Sequence, residues 1–139
     1  MTYLFDTNVV SAQRRANLLP SHVAGWLARI PATEVFLSAI SMHELELGVL
    51  LKERSDPRQG AILRRWKDEI VSRNFMGRIL PVDQAVAEIC ARLHVPDPRP
   101  VLDALIAATA IVNRLTLVTR NVRDFASMPV RAVNPWAST

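Results

Sequence analysis

Tyr3-Leu4-Phe5-Asp6-Thr7-Asn8-Val9-Val10 opens the chain with three apolar residues, an aspartate, and a turn into a second apolar pair. Three such residues suffice for a short buried strand, and the carboxylate of Asp6 then falls just past its carboxyl end. Thr7 reads as the cap of a short helix whose first turn holds Asn8, Val9 and Val10. In an open sheet of parallel strands, ligands bind outside the carboxyl ends of the strands, near the point where strand order reverses. Asp6 is therefore the first candidate for chemistry. Its plain alternative is a residue that merely ends a strand.

The same pattern recurs along the chain. Residues 35–37, 78–81, 115–119 and 130–133 are further apolar strands. Pro20 opens a helix carrying Val23, Trp26, Leu27 and Ile30, which Pro31 stops. Ser41 reads as the start of another, with Met42, Leu45 and Val49 on one stripe. Pro57 starts a long one with Ile62, Leu63, Trp66 and Ile70 at helical spacing, ended by Gly77. Asp83 caps a helix bearing Val86, Ile89, Cys90 and Leu93, and residues 101–113 form an alanine-rich helix that is apolar nearly all round and hence buried. A short helix over 121–127 follows the fourth strand. Strands alternating with helices define an α/β fold: a mainly parallel central sheet of about five strands, flanked by helices. The length of 139 residues suits one domain over residues 1–139.

This topology gathers carboxylates. Glu44 sits in the first turn of the helix leaving the second strand, Asp103 in the first turn of the helix running back before the fourth, and Asp124 a few residues past the fourth. With Asp6, all four map to one edge of the sheet. Each has a plain reading of its own. Ser41-Met42-His43-Glu44 has the spacing of a capping box, Asp103 complements a helix dipole, and Asp124 is a surface charge. None of these explains the joint placement. Four neighbouring carboxylates repel and raise one another's pKa values. A divalent cation offsets that repulsion, and an all-oxygen set suits Mg²⁺ or Mn²⁺ rather than zinc. Such a site suits phosphoryl chemistry.

Half the residues are hydrophobic and 22% are charged, the balance of a globular chain. Cys90 is the single cysteine, which excludes an internal disulfide and a thiolate metal cluster. The opening MTYLFDTN has no basic segment leading into an apolar run, and no apolar stretch approaches the roughly 20 residues of a membrane span, so the expectation is a cytoplasmic protein without membrane attachment. The net charge is +4, and 15 of the 17 basic residues are arginine. With the four site acids set aside, 17 basic face 9 acidic residues. A basic body around an acidic pocket suits a polyanion, because arginine grips phosphate through a planar fork. Ordinary surface solubility explains the charge equally well.

The motifs have a family likeness. Phe5-Asp6-Thr7-Asn8-Val9-Val10-Ser11 resembles the opening motif of PIN-domain nucleases. Ser38-Ala39-Ile40-Ser41-Met42-His43-Glu44-Leu45 followed by Gly48 resembles their second motif, Asp103-Ala104-Leu105-Ile106-Ala107-Ala108-Thr109-Ala110 the third, and Val118-Thr119-Arg120-Asn121-Val122-Arg123-Asp124-Phe125 the fourth. Asn134-Pro135-Trp136 is similar to the ending of one branch. The likeness runs from residue 3 to residue 136 in the family's order, and is closest in kind to the VapC toxins, especially their FitB-like branch. One departure stands in the loop before the third acid. Relatives often carry glycine there, and this chain has Pro96-Asp97-Pro98-Arg99-Pro100, which is stiffer.

The resemblance implies a PIN-like fold and a toxin of a type II toxin–antitoxin system that hydrolyses RNA with Mg²⁺ or Mn²⁺. It implies a homodimer, silenced by a cognate VapB- or FitA-like antitoxin in a complex that can grow larger and touches DNA only through the antitoxin. Carried over by position, Asp6, Glu44, Asp103 and Asp124 are the catalytic, metal-holding quartet, with Asp6 and Asp103 in direct contact and Asp124 direct or through water. Asn8, Thr119 and Asn121 would orient those ligands from behind. On the long helix, Arg64, Arg65 and Lys67 would touch RNA or antitoxin, and a solvated face explains them as well. His22, His43 and His94 have no metal-ligand spacing. A PIN-fold module with weak catalysis, working inside a DNA-bound complex, is the alternative. Two other phosphotransfer folds are disfavoured: a dehalogenase-type phosphatase needs a second aspartate where Asn8 stands, and a receiver domain needs an acidic pair that Tyr3-Leu4-Phe5 lacks.

Overall fold

The computed structural model describes residues 1–137. Five strands form one sheet: β1 (Tyr3–Phe5), β2 (Val35–Ser38), β3 (Ile79–Leu80), β4 (Thr116–Val118) and β5 (Ala132–Val133), in the order β3-β2-β1-β4-β5. Every neighbouring pair is parallel, so this is the α/β sheet the alternating pattern predicts. β1 is central, with Leu4 between Phe36 and Leu117. The chain builds outward through β2 and β3, then returns to place β4 on the other side of β1. Strand order therefore reverses between β1 and β4, where Asp6 leaves the sheet.

Both faces of the sheet are covered, which is why its strands are apolar at nearly every position, Ser38 and Thr116 excepted. Alternate side chains go to opposite faces. Leu4, Leu117 and the partly buried Phe36 join one core, with α6 (Gln84–Leu93) and α7 (Val101–Val112). Phe5, Val35, Leu37 and Val118 join the other, against α1 (Thr7–Gln13), α2 (Ser21–Ala28) and α3 (Ala39–Ser55). Ala104, Ala107, Ala108 and Ala110 have no exposure, so the small residues of α7 let it lie close to the sheet. Truncating Leu4 or Leu117 to alanine costs roughly 2–5 kcal/mol by the usual cost of a core cavity.

Helix starts depart from the sequence expectation in two places. Asp6, not Thr7, caps α1, its carboxylate accepting from the Thr7 amide at 2.8 Å. α3 begins at Ala39 rather than Ser41, because Ser38, the last residue of β2, already supplies the cap: its hydroxyl accepts from the Ser41 amide at 3.0 Å. Ser41 is thereby buried within the helix, and Glu44 moves to its second turn, out of reach of a capping box. The long helix after Pro57 is also not uniform. It runs as α4 (Pro57–Arg65), passes through a π-helical turn over Trp66–Val71, and ends in α5 (Ser72–Asn74).

α3 and α4 form a tight hairpin about Asp56, whose side chain caps α4 at the Gln59 amide, with Pro57 in the first turn. At Gly60 the helices approach so closely that a β-carbon there would lie 2.4 Å from Glu53 Cα. Arg64 forks onto Glu46 at 2.6 and 2.9 Å and reaches Glu53 at 3.2 Å, while Lys67 pairs with Glu46 at 2.8 Å. These two cations pull the Glu46 carboxyl down to about 2. Arg64 and Lys67 thus lock the hairpin, whereas Arg65 is exposed and has no ion pair among the described residues. On α6, Cys90 is buried in the core, and burial pushes its thiol up, away from nucleophilic use.

Candidate active site

Asp6 is 8% exposed and leaves β1 at its carboxyl end, with its own amide bonded to the Val118 carbonyl of β4 at 2.9 Å. A buried carboxylate needs donors on both oxygens. One oxygen of Asp6 accepts from the Thr7 amide. The other accepts from the Thr119 hydroxyl at 2.8 Å and, more loosely, from the Asn8 side-chain amide at 3.4 Å. Thr119 follows β4, so the parallel pairing of β1 and β4 brings these two residues together across 113 positions of chain.

Thr119 is itself oriented. The Asn121 amide donates to its hydroxyl oxygen at 3.0 Å, which leaves its proton for Asp6. Asn8 accepts from the Arg120 amide through its side-chain oxygen at 3.3 Å. Asn121 therefore enters the network through its backbone, and no hydrogen bond of its side chain is found among the described residues. The Arg120 carbonyl accepts from Asn134, and the Arg120 guanidinium lies 4.7 Å above the Trp136 ring. The Asn134-Pro135-Trp136 ending thus braces the turn after β4.

Glu44 reaches the same edge from α3. Its carboxylate accepts from the Thr7 hydroxyl at 2.6 Å, and that hydroxyl also lies 2.9 Å from Ser41 Oγ. Asp103 lies in the first turn of α7, half-buried, and Asp124 sits exposed on the 3-10 turn Val122–Phe125. Thr7 and Ser41 are site residues that sequence reasoning misses, because each reads locally as the start of a helix.

The electrostatics tie the four acids together. Burial raises the Asp6 carboxyl above the ordinary aspartate range. The bonds from Thr119 and Thr7 pull it back, and the charges of Glu44 and Asp124 push it up again. Burial likewise raises Asp103, helped by Asp124 and then Asp6. None of the four takes part in an ion pair among the described residues; the ion pairs found lie on the α3–α4 hairpin and the turn after it. The acids are in mutual electrostatic range, but among the described residues no three His, Cys, Asp or Glu side chains are placed to hold one ion. Arg64, Arg65 and Lys67 belong to the hairpin and the turn after it, and no hydrogen bond or ion pair joins them to this group among the described residues.

The sequence pattern of the PIN domain matches residues 3–130, nearly the whole chain. The chain belongs to the PIN-domain family. Toxin FitB of Neisseria gonorrhoeae is 35% identical to this PIN domain over 139 residues, covering 96% of this chain and 97% of that one. Ribonuclease VapC14 of Mycobacterium tuberculosis is 49% identical over 76 residues, 55% of this chain and 73% of that protein. A solved structure of FitAB bound to an IR36 DNA fragment superposes on this PIN domain with a TM-score of 0.85 at 32% identity, covering 99% of this chain and 98% of that one. Among the described residues, no helix is long and apolar enough to cross a membrane.

Proposed function

We propose that this PIN domain is a divalent-metal-dependent endoribonuclease, the toxin of a toxin–antitoxin pair, acting through Asp6, Glu44, Asp103 and Asp124. The observation that carries the proposal is the buried Asp6 carboxylate, held by Thr119 and Thr7 and neighboured by further acids that form no ion pair among the described residues. Accumulated, uncompensated carboxylate charge fits a hard cation, and the all-oxygen donor set favours Mg²⁺ or Mn²⁺. The names of the two relatives, a toxin and a ribonuclease, agree with that chemistry. The chemistry a bound ion supplies at such a site is acidification of a water and neutralisation of charge on the scissile phosphate.

We assign direct contact to Asp6 and Asp103, whose carboxyls are raised by burial and by the charges of neighbouring acids that a bound cation would offset. Asp124 completes the set from its exposed turn. Thr119 and Asn8 keep Asp6 from rotating, and the Asn121 backbone holds Thr119. The arginine-rich surface holds the RNA backbone. We place the protein in the cytoplasm as a homodimer, neutralised by a FitA-like antitoxin that makes the contacts to DNA within a larger complex, the reading that fits the FitAB–DNA structure. Antitoxin-free protein is expected to cut RNA only with Mg²⁺ or Mn²⁺, and Asp6→Asn to lose that cutting. Full activity in a chelator, or in the variant, sinks the proposal.

One observation favours a second reading, a weakly catalytic module working within a DNA-bound complex: among the described residues no three acids are placed to share one ion. Calorimetry decides between the two. Tight antitoxin binding without Mn²⁺ binding selects the module.

A further inference from the structure

Among the described residues, Thr7 is the one bonded to two of the proposed ligands. Its amide donates to Asp6 at 2.8 Å, and its hydroxyl lies 2.6 Å from Glu44 Oε1 and 2.9 Å from Ser41 Oγ. The directions of these bonds follow from the donor inventory. An ionised carboxylate only accepts, so the single Thr7 hydroxyl proton goes to Glu44. The contact between the two hydroxyls must then be carried by the Ser41 proton, which is donated to Thr7. Ser41 has no exposure, and its amide is held by Ser38, so the relay is anchored in the first turn of α3. The chain of donation runs Ser41 to Thr7 to Glu44, from the buried end of α3 to the open edge of the sheet.

We infer that the Ser41–Thr7 hydroxyl relay is a positioning device that occupies Oε1 of Glu44 and turns its other oxygen toward the divalent cation. The inference rests on the metal-dependent reading above. Charge-assisted hydrogen bonds of this length are the strong ones, so an unconstrained Glu44 rotamer gives way to one fixed orientation. Glu44 then contributes one oxygen rather than two, and its distance from Asp6 is set by Thr7, which grips both. A role confined to starting α1 needs only the Thr7 amide. The hydroxyl is free to serve Glu44.

The test is Mn²⁺ binding by calorimetry on the purified full chain, with RNA cleavage followed in parallel. Thr7→Val keeps the shape and removes the donor. It is expected to weaken Mn²⁺ binding about 10-fold or more, the usual effect of losing a partner of a metal-binding carboxylate. Thr7→Ser restores the donor and is expected to return the affinity to within about threefold. Ser41→Ala is expected to fall between them, since Thr7 can still donate. In a Glu44→Gln background, Thr7→Val should add nothing, because the carboxylate it served is gone. Unchanged Mn²⁺ affinity in Thr7→Val, failure of Thr7→Ser to rescue, or simple additivity with Glu44→Gln overturns the relay while leaving the nuclease reading intact. A wild-type chain that binds no Mn²⁺ overturns both.

Discussion

Asp103 shows what it costs one residue to serve this site. Its carboxyl titrates above the ordinary value of about 3.9, so the folded chain holds that proton more tightly than the unfolded chain does. Ionising it therefore works against folding: the penalty is absent below about pH 4 and grows as pH rises through the raised value. Asp103→Asn is expected to melt higher than the wild type near neutral pH without metal, with the gap closing as pH falls toward 4. It is also expected to lose cleavage, and Mn²⁺ should raise its melting temperature less than it raises the wild type's. Melting curves at both pH values check this. A variant that melts lower at both would mean that the helix-dipole contribution of Asp103 outweighs the repulsion. At this scale the sequence was informative about the acids and about Thr119, and silent about the hydroxyls of Thr7 and Ser41. Asp6 was legible because a strand end fixes where its side chain emerges. The bond from Thr7 to Glu44 spans 37 residues and depends on two rotamers, which no local pattern encodes.

At the scale of elements, strands and helices were readable from apolar spacing, while their starts were not. Ser38 and Ser41 stand three apart, and either could cap a helix; the structure selects Ser38 because the helix can then begin directly at the end of β2. The π-helical turn over Trp66–Val71 was equally hidden, since one extra residue per turn leaves the apolar pattern nearly intact. The α3–α4 hairpin offers a contrast between two glycines. At Gly60 a β-carbon would strike the Glu53 backbone, so Gly60→Ala must push the helices apart, at a cost on the order of 1–3 kcal/mol and several degrees of melting temperature. At Gly48, in α3, nothing lies within 4 Å of the added carbon. There the same substitution is expected to stabilise by roughly 0.5–1 kcal/mol, through a less flexible unfolded chain. Thermal melts of the pair check the opposite signs. Equal losses would mean that helix separation is not the cause.

For the whole molecule, charge divides into working and structural parts that composition cannot separate. Arg64 and Lys67 direct their charge onto Glu46, while Arg65 beside them is open to solvent. On a cleavage-dead Asp6→Asn background, Arg65→Gln is therefore expected to weaken RNA association and to lower its salt slope by about 0.7, the release expected for one contact to a single strand. Arg64→Gln is expected to leave the slope unchanged and to lower the melting temperature. Equal slopes for the two variants would remove Arg65 from the RNA-binding surface. The sheet order has a consequence of timing. Asp6 precedes Thr119 by 113 positions, and β4 must dock beside β1 before Asp6 acquires the Thr119 donor. While the residues between them are being made, a nascent chain carries its first acid without the partners of the proposed cutting centre. Completion of the proposed site therefore waits on the synthesis of β4 and of the turn that follows it.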